Sequence, residues 1–126
     1  KRTVDFNISH SGEFILAVFA VGMDIGVDVQ EMAECPDYRE IAENFYTAEE
    51  AEDVKNEGPD LFFQYWAAKE AYVKALGIGL GRGMDFFSVR NEKIAEKDKK
   101  DQDWFLYPVR IKGYAAYVAA HEKGDR

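Results

Sequence analysis

The sequence predicts one α+β domain in which an antiparallel sheet packs against a long helix. Alternating or continuous apolar segments of strand length lie at both ends of the chain, and segments with helix signals fill the middle. The 126 residues are 47% hydrophobic and include nine Phe, seven Tyr and two Trp, which is enough for one modest core. Because no repeat or linker interrupts the chain, we expect residues 1–126 to form a single domain.

The first two predicted strands lie near the start of the chain. Val4–Ser9 alternates apolar and polar residues, and His10, Ser11 and Gly12 follow it as a turn. Phe14–Ala20 is an uninterrupted apolar run of strand length, which indicates a buried strand. The second strand is therefore expected inside the core.

A third strand, Ile25–Gln30, alternates apolar and polar residues again. Its β-branched residues would face the core, because successive side chains of a strand point to opposite faces. Asp28 and Gln30 would then lie together on the other face, beside Gly26.

Three helices are predicted in the middle of the chain. Pro36 lies near the opening of the first, and Thr47 with Glu50 three residues later forms a capping box for the second. The glycines between residues 77 and 83 follow the third helix and do not open one, so they indicate a helix end and a flexible loop, not a nucleotide fingerprint. The predicted helices run over residues 38–42, from 47 to about 56, and from about 61 to 76. A solvated face of the second helix would carry its acidic residues, Glu49, Glu50, Glu52 and Asp53.

The end of the chain is predicted to return to strands. Phe86–Val89 is a short apolar segment, and residues 91–103 form a charged, exposed loop. Trp104–Tyr107 and Ala115–Ala120 are expected as the closing strands.

The charge and the cysteine content exclude several classes of protein. With 16 basic and 24 acidic residues the net charge is −8, which argues against general nucleic-acid binding, so an anionic ligand needs a local cluster of basic residues. Cys35 is alone, which excludes an intramolecular disulfide and a thiolate zinc site and fits a cytoplasmic location. No apolar stretch approaches the roughly 20 residues of a membrane span.

One group of side chains points to phosphate chemistry. Glu70 and Lys74 lie one helical turn apart, an arrangement also typical of a solvated salt bridge. Asp28 could be an ordinary strand aspartate, but with Glu70 it supplies the oxygen ligands that Mg²⁺ takes beside substrate phosphates. His10 could be a turn residue or a phosphate ligand.

Four segments in order resemble the 4′-phosphopantetheinyl transferases, specifically the Sfp type. They are Phe6–Gly12, Gly26–Gln30, Phe45–Glu50 and Trp66–Ala75. Their order and spacing follow the family across most of the chain. The resemblance implies one lobe of the transferase fold and Mg²⁺-dependent transfer of the phosphopantetheine arm of coenzyme A to a carrier-protein serine, leaving 3′,5′-ADP.

The resemblance also implies roles for particular residues. The metal ligands would be Asp28, Gln30 and Glu70, and the catalytic residues Asp28, Glu70 and Lys74. Coenzyme A phosphates would contact Ser9, His10, Lys69 and Lys74. For Lys69, helix capping, an ion pair and phosphate contact remain alternatives. The base for the serine proton would be Glu70 or a metal-bound water.

Two departures from the family pattern matter. Gln30 stands where the family commonly has a second acidic residue, and an amide brings no charge to a metal. Sfp-type enzymes have two lobes, and this sequence, which opens at Lys1 without Met, is expected to hold only the end of the first lobe and all of the second. We therefore expect a piece of a longer polypeptide, or a site completed by a second lobe or subunit.

The function predicted from the sequence is therefore a magnesium-dependent phosphopantetheinyl transferase that acts on coenzyme A and an acyl or peptidyl carrier protein. The alternative is a non-catalytic lobe that binds coenzyme A or a partner. No nucleic acid and no membrane are expected. The carrier is expected to dock on apolar residues such as Phe45, Tyr46, Phe62 and Phe63, together with a few basic residues.

Overall fold

The computed structural model describes residues 4–79, 81, 83–96 and 103–123. Its regular elements follow the order strands, helices, strands. They are β1 (Val4–Ser11), β2 (Phe14–Val21), β3 (Met23–Glu31), α1 (Tyr38–Phe45), α2 (Ala48–Glu57), α3 (Pro59–Leu76), β4 (Phe87–Ser88), β5 (Ala95–Glu96), β6 (Phe105–Pro108) and β7 (Tyr114–Glu122). The α+β prediction is confirmed. Within these ranges no helix is both long and apolar enough to cross a membrane.

The central sheet has three antiparallel strands in the order β3-β7-β6. Val27 lies opposite Val118 on the β3–β7 ladder, and Phe105 lies opposite Ala120 on the β6–β7 ladder. The helix α3 lies directly on this sheet at Gly26, where an added Cβ would be 2.6 Å from the Ala75 nitrogen. Only glycine allows this close approach of helix and strand, and the approach brings the polar residues of β3 and α3 together.

The predicted helices all form, and two are longer than predicted. The capping box of α2 is present, since the Thr47 hydroxyl accepts from the Glu50 N–H and the Glu50 carboxylate accepts from the Thr47 N–H, both at 3.1 Å. The helix α3 begins at Pro59 and ends at Gly77, whose φ of 71° is the left-handed conformation that favours glycine at a helix end.

The hairpin of β1 and β2 differs from the prediction. The strand β1 continues through His10 and Ser11, so the turn begins two residues later than predicted, at Gly12. The prediction that the second strand is buried is wrong, because Ile15 is 73% exposed and Phe19 69% exposed. An apolar run does not say what covers it, and one face of this hairpin lies on the surface of the described structure.

The other face of the hairpin holds the free edge of β3. Alternate residues of β1 accept hydrogen bonds from alternate backbone N–H groups of β3, so side chains replace a neighbouring strand. The three bonds join Asn7 Oδ1 to Val27 N (2.9 Å), Ser9 Oγ to Val29 N (3.1 Å) and Ser11 Oγ to Glu31 N (2.8 Å). This arrangement places β1 beside the polar face of β3.

The segment after α3 contains a short element that the sequence did not indicate. The predicted strand 86–89 is only Phe87–Ser88, and it pairs with Ala95–Glu96 inside the predicted loop. Residues 97–102 of that loop, like residues 80 and 82 of the glycine segment, lie outside the described ranges. The two closing strands form as predicted, and β7 becomes the middle strand of the sheet.

Candidate active site

Asp28 lies in the interior at the centre of the candidate site. The close contact of Gly26 with α3 turns the next alternate residue of β3, Asp28, toward the helix. The side chain is 6% exposed, and its Oδ1 accepts a hydrogen bond from the Ser9 hydroxyl at 3.2 Å. The Gln30 amide donates to Oδ2 at 3.3 Å. A buried carboxylate with only two neutral donors is costly to ionise unless a cation is near.

Glu70 and Lys74 reach the same place from α3, one helical turn apart. The Lys74 ammonium donates to the backbone oxygens of Ile8 at 2.7 Å and of Val27 at 2.8 Å. It therefore ties the hairpin and the central sheet to α3. Both side chains are half-buried, so the pair is not the solvated surface bridge that its spacing alone would allow.

Burial disfavours the charged forms of all three side chains, and the negative charges of Asp28 and Glu70 also repel each other. Burial raises the pKa of Asp28 from 3.8 to about 7, with the Glu70 charge as the second cause. Burial also raises the pKa of Glu70, while Lys74 opposes that shift. The pKa of Lys74 is lowered by burial, against the attraction of Asp28 and Glu70. A further cation at this position would relieve the repulsion between the two carboxylates.

The donor set fits Mg²⁺ only as a partial site. The described residues contain no group of three or more His, Cys, Asp or Glu side chains placed to hold a metal. Mg²⁺ is usually held by one or two carboxylates and takes its other ligands from water and substrate phosphates. Asp28 and Glu70 meet that requirement. The atom of Gln30 that could bind a metal is its amide oxygen, whereas the NH₂ group is the one that faces Asp28 in this structure.

The structure separates Ser9 from His10. Ser9 is 8% exposed, and its hydroxyl bridges Asp28 and the Val29 N–H. His10, the next residue of the strand, is exposed and points to the opposite face of the hairpin. The two predicted phosphate ligands therefore do not converge on one point, and the Ser9 hydroxyl supports Asp28.

Lys69 lies in the core and not in the candidate site. Its side chain has no exposed surface, and its ammonium contacts Glu50 at 2.7 Å. It also donates to the backbone oxygens of Met84 at 2.7 Å and Phe87 at 2.6 Å. Of the three alternatives left open by the sequence, the geometry supports the ion pair, and gives phosphate contact no support.

Three features of this region were missed or misjudged from the sequence. The prediction that Glu50 lies on a solvated face is wrong, because its side chain is fully buried. The capping-box pattern predicts that the Glu50 carboxylate accepts from the Thr47 N–H. It does not indicate the ion pair of Glu50 with Lys69, which lies 19 residues away in the chain. Asn7 and Ser11, which hold β1 against β3, carried only the signal of strand alternation.

Comparison with known proteins identifies the family of the chain. Residues 24–119, which include nearly all of β3, the three helices, all of β6 and most of β7, match the family described as the 4′-phosphopantetheinyl transferase superfamily. The chain belongs to this superfamily. The match contains all three residues of the buried polar group, Asp28, Glu70 and Lys74.

Individual members of the superfamily give the same result over different lengths. The chain is 38% identical over 89 residues to the 4′-phosphopantetheinyl transferase Sfp of Bacillus subtilis, covering 68% of this chain and 38% of that protein. A putative 4′-phosphopantetheinyl transferase of Synechocystis is 37% identical over 89 residues, 68% of this chain and 36% of that protein. The rat L-aminoadipate-semialdehyde dehydrogenase-phosphopantetheinyl transferase is 29% identical over 144 aligned positions, 96% of this chain and 47% of that protein. The chain thus spans less than half the length of these relatives.

Proposed function

We propose that this chain carries the metal-binding and phosphate-binding lobe of a cytoplasmic enzyme that transfers 4′-phosphopantetheine from coenzyme A to a serine of an acyl or peptidyl carrier protein. The observation that carries the proposal is the convergence of Asp28, Glu70 and Lys74 between β3 and α3. Membership of the superfamily supports the reaction class.

In this proposal Asp28 and Glu70, with the Gln30 amide oxygen, hold Mg²⁺ beside the coenzyme A pyrophosphate. The metal supplies positive charge to the phosphate oxygens, its usual contribution to phosphoryl transfer. The raised pKa values of both carboxyl groups support this assignment, because binding of a cation there favours their ionised forms.

We assign Lys74 to neutralising the pyrophosphate charge while the P–O bond to the leaving group breaks. Two of the three ammonium donors are bonded to Ile8 and Val27, and we assign the third to a pyrophosphate oxygen. The serine oxygen attacks the phosphorus that bears the pantetheine arm, and the P–O bond to the departing 3′,5′-ADP breaks. We assign the serine proton to Glu70, the half-buried carboxylate that α3 brings to the candidate site.

The exposure of the remaining residues decides which of them could contact coenzyme A or the carrier protein. His10 is exposed at the hairpin and is retained as a ligand for an outer phosphate of coenzyme A. For the carrier, Phe45 is 46% exposed and Phe63 is half-buried, so both can contribute to docking. Tyr46 and Phe62 are each 4% exposed and pack in the core, so their predicted part in docking is withdrawn.

The alternative of a non-catalytic binding lobe is favoured by one observation. Gln30 brings a neutral amide to Asp28 where a second carboxylate would strengthen metal binding. In that case the chain would bind coenzyme A without transferring any part of it.

The test is the intact mass of an apo-carrier protein after incubation with this chain, coenzyme A and Mg²⁺. A gain of one phosphopantetheine, abolished by EDTA and by Glu70→Gln, is expected. A matched control is Glu43→Gln, an exposed carboxylate of α1 outside the site, which should retain transfer. Binding of coenzyme A without any mass gain would support the binding lobe instead.

A further inference from the structure

The residue before Glu70 takes part in a buried network of its own. Lys69 is fully buried, and its ammonium has three oxygen partners at 2.6–2.7 Å, one of them the Glu50 carboxylate. An ammonium has three donors, so this geometry accounts for all of them. The Phe87 ring lies 4.2 Å from the same nitrogen, which closes the pocket around the charge.

The Glu50 carboxylate connects this charge to two further segments. Its Oε1 accepts from the N–H of Thr47, the N-cap residue of α2, at 3.1 Å. Its Oε2 accepts from the Val89 N–H at 2.7 Å, just after β4. One ion pair therefore joins the start of α2, the middle of α3 and the segment that follows α3.

We propose that Lys69 is a positioning residue, which with Glu50 fixes the rotation of α3 and so holds Glu70 against Asp28, without touching coenzyme A. Consecutive helix residues point about 100° apart. Anchoring Lys69 on the core side of α3 therefore directs Glu70 toward β3. The inference rests on the proposed function, since it concerns the same site.

A positioning role of Lys69 and direct contact of Lys69 with phosphate predict different effects when Glu50 is also substituted. A positioning role requires both Lys69 and Glu50. Loss of either charge leaves the other charge buried and unpaired, which destabilises the fold, and removal of both charges abolishes that cost. A phosphate contact depends on Lys69 alone, so it is lost in every variant that lacks the ammonium.

The experiment compares Lys69→Met, Glu50→Gln and the double variant with the unchanged chain, using calorimetric titration with coenzyme A in Mg²⁺. Thermal unfolding is recorded for each protein. Each single variant is expected to unfold at a lower temperature and to weaken coenzyme A binding by about tenfold or more, the usual effect of a residue that supports a metal ligand. The double variant is expected to regain the unfolding temperature and to bind within about threefold of the unchanged chain.

Lys74→Met provides the reference for direct phosphate contact, because its ammonium lies in the candidate site. The proposal is overturned if the double variant unfolds like the unchanged chain yet binds coenzyme A as weakly as Lys74→Met. It is also overturned if Glu50→Gln alone leaves the unfolding temperature and binding unaffected. Should the single variants fail to fold, the double variant alone decides between the two roles.

Failure of the proposed function would give a different set of binding results from failure of the positioning role. If the unchanged chain does not bind coenzyme A, the function proposal fails, and the same variants are compared by water-proton relaxation with Mn²⁺ as the probe. Weaker Mn²⁺ binding in both single variants, restored in the double variant, supports positioning. Equal Mn²⁺ affinity in all four proteins contradicts it.

Discussion

The buried carboxyl group of Asp28 should make the metal-free protein less stable as the pH rises. Its pKa is about 7 in the folded chain and 3.8 as its ordinary value. Between these values the folded state keeps the proton and the unfolded state releases it, so the free energy of unfolding falls with increasing pH. The stabilisation is complete below pH 4 and is lost as the pH passes through 7.

The magnitude follows from the size of the pKa difference. The slope is at most about 1.4 kcal/mol per pH unit and halves by pH 7, where about half of the folded molecules have released the proton, so the loss from pH 5 to pH 7 is about 2 kcal/mol. Asp28→Asn removes the titrating group, so the free energy of unfolding of the unchanged chain should fall by about this amount relative to the variant. With a urea m-value of about 2 kcal/mol/M, the difference in midpoints should change by roughly 1 M.

Urea unfolding in EDTA at pH 5, 6, 7 and 8, followed by tryptophan fluorescence, measures this effect. Glu43→Gln is the matched control, because it removes an exposed carboxylate and leaves the site intact. A difference between Asp28→Asn and the unchanged chain that stays constant within about 1 kcal/mol from pH 5 to pH 8 would refute the reasoning.

Three further predictions concern the packing of β3 and the exposed face of the β1–β2 hairpin. Gly26→Ala forces a Cβ against the backbone of α3 at Ala71, so it should lower the urea midpoint by an amount equivalent to about 1–3 kcal/mol; an unchanged midpoint would contradict the close approach. Ser9→Ala leaves the Val29 N–H without its acceptor and should destabilise by about 1–3 kcal/mol, whereas Ser9→Thr, which keeps the hydroxyl, should lose less; equal losses would argue against the hydrogen bond. Phe19→Ser removes a side chain that is 69% exposed, so binding of a hydrophobic dye should fall while the urea midpoint stays within about 0.5 kcal/mol; a large loss of stability would show that Phe19 packs in the core.

The parts of the fold that could be predicted from the sequence are those with local causes. Thr47 and Glu50 are three residues apart, and the capping box they form depends only on the first turn of α2. The alternation of β3 similarly placed Gly26 and Asp28 on one face, but that face packs against α3 and is not turned away from the core as predicted. The one-turn spacing placed Glu70 beside Lys74. Four short segments in order were enough to indicate the family, which the comparisons confirm.

The features that escaped prediction depend on contacts between distant segments. Nothing near Glu50 indicates that its carboxylate meets Lys69 in the core. The apolar composition of Phe14–Ala20 indicated a strand correctly, but burial depends on which face another element covers. Likewise, the side chains of Ser9 and Lys74 have several possible partners in sequence, and the tertiary structure selects Asp28 for one and the Ile8 oxygen for the other.

The most direct measurement of the central claim is the affinity of this chain for coenzyme A with and without Mg²⁺, compared with Glu70→Gln. We expect Mg²⁺ to tighten binding of coenzyme A by at least tenfold in the unchanged chain and to have no such effect in the variant. If Mg²⁺ leaves the affinity unchanged, or if Glu70→Gln retains the full effect, Asp28 and Glu70 do not form the site that binds the metal and the pyrophosphate.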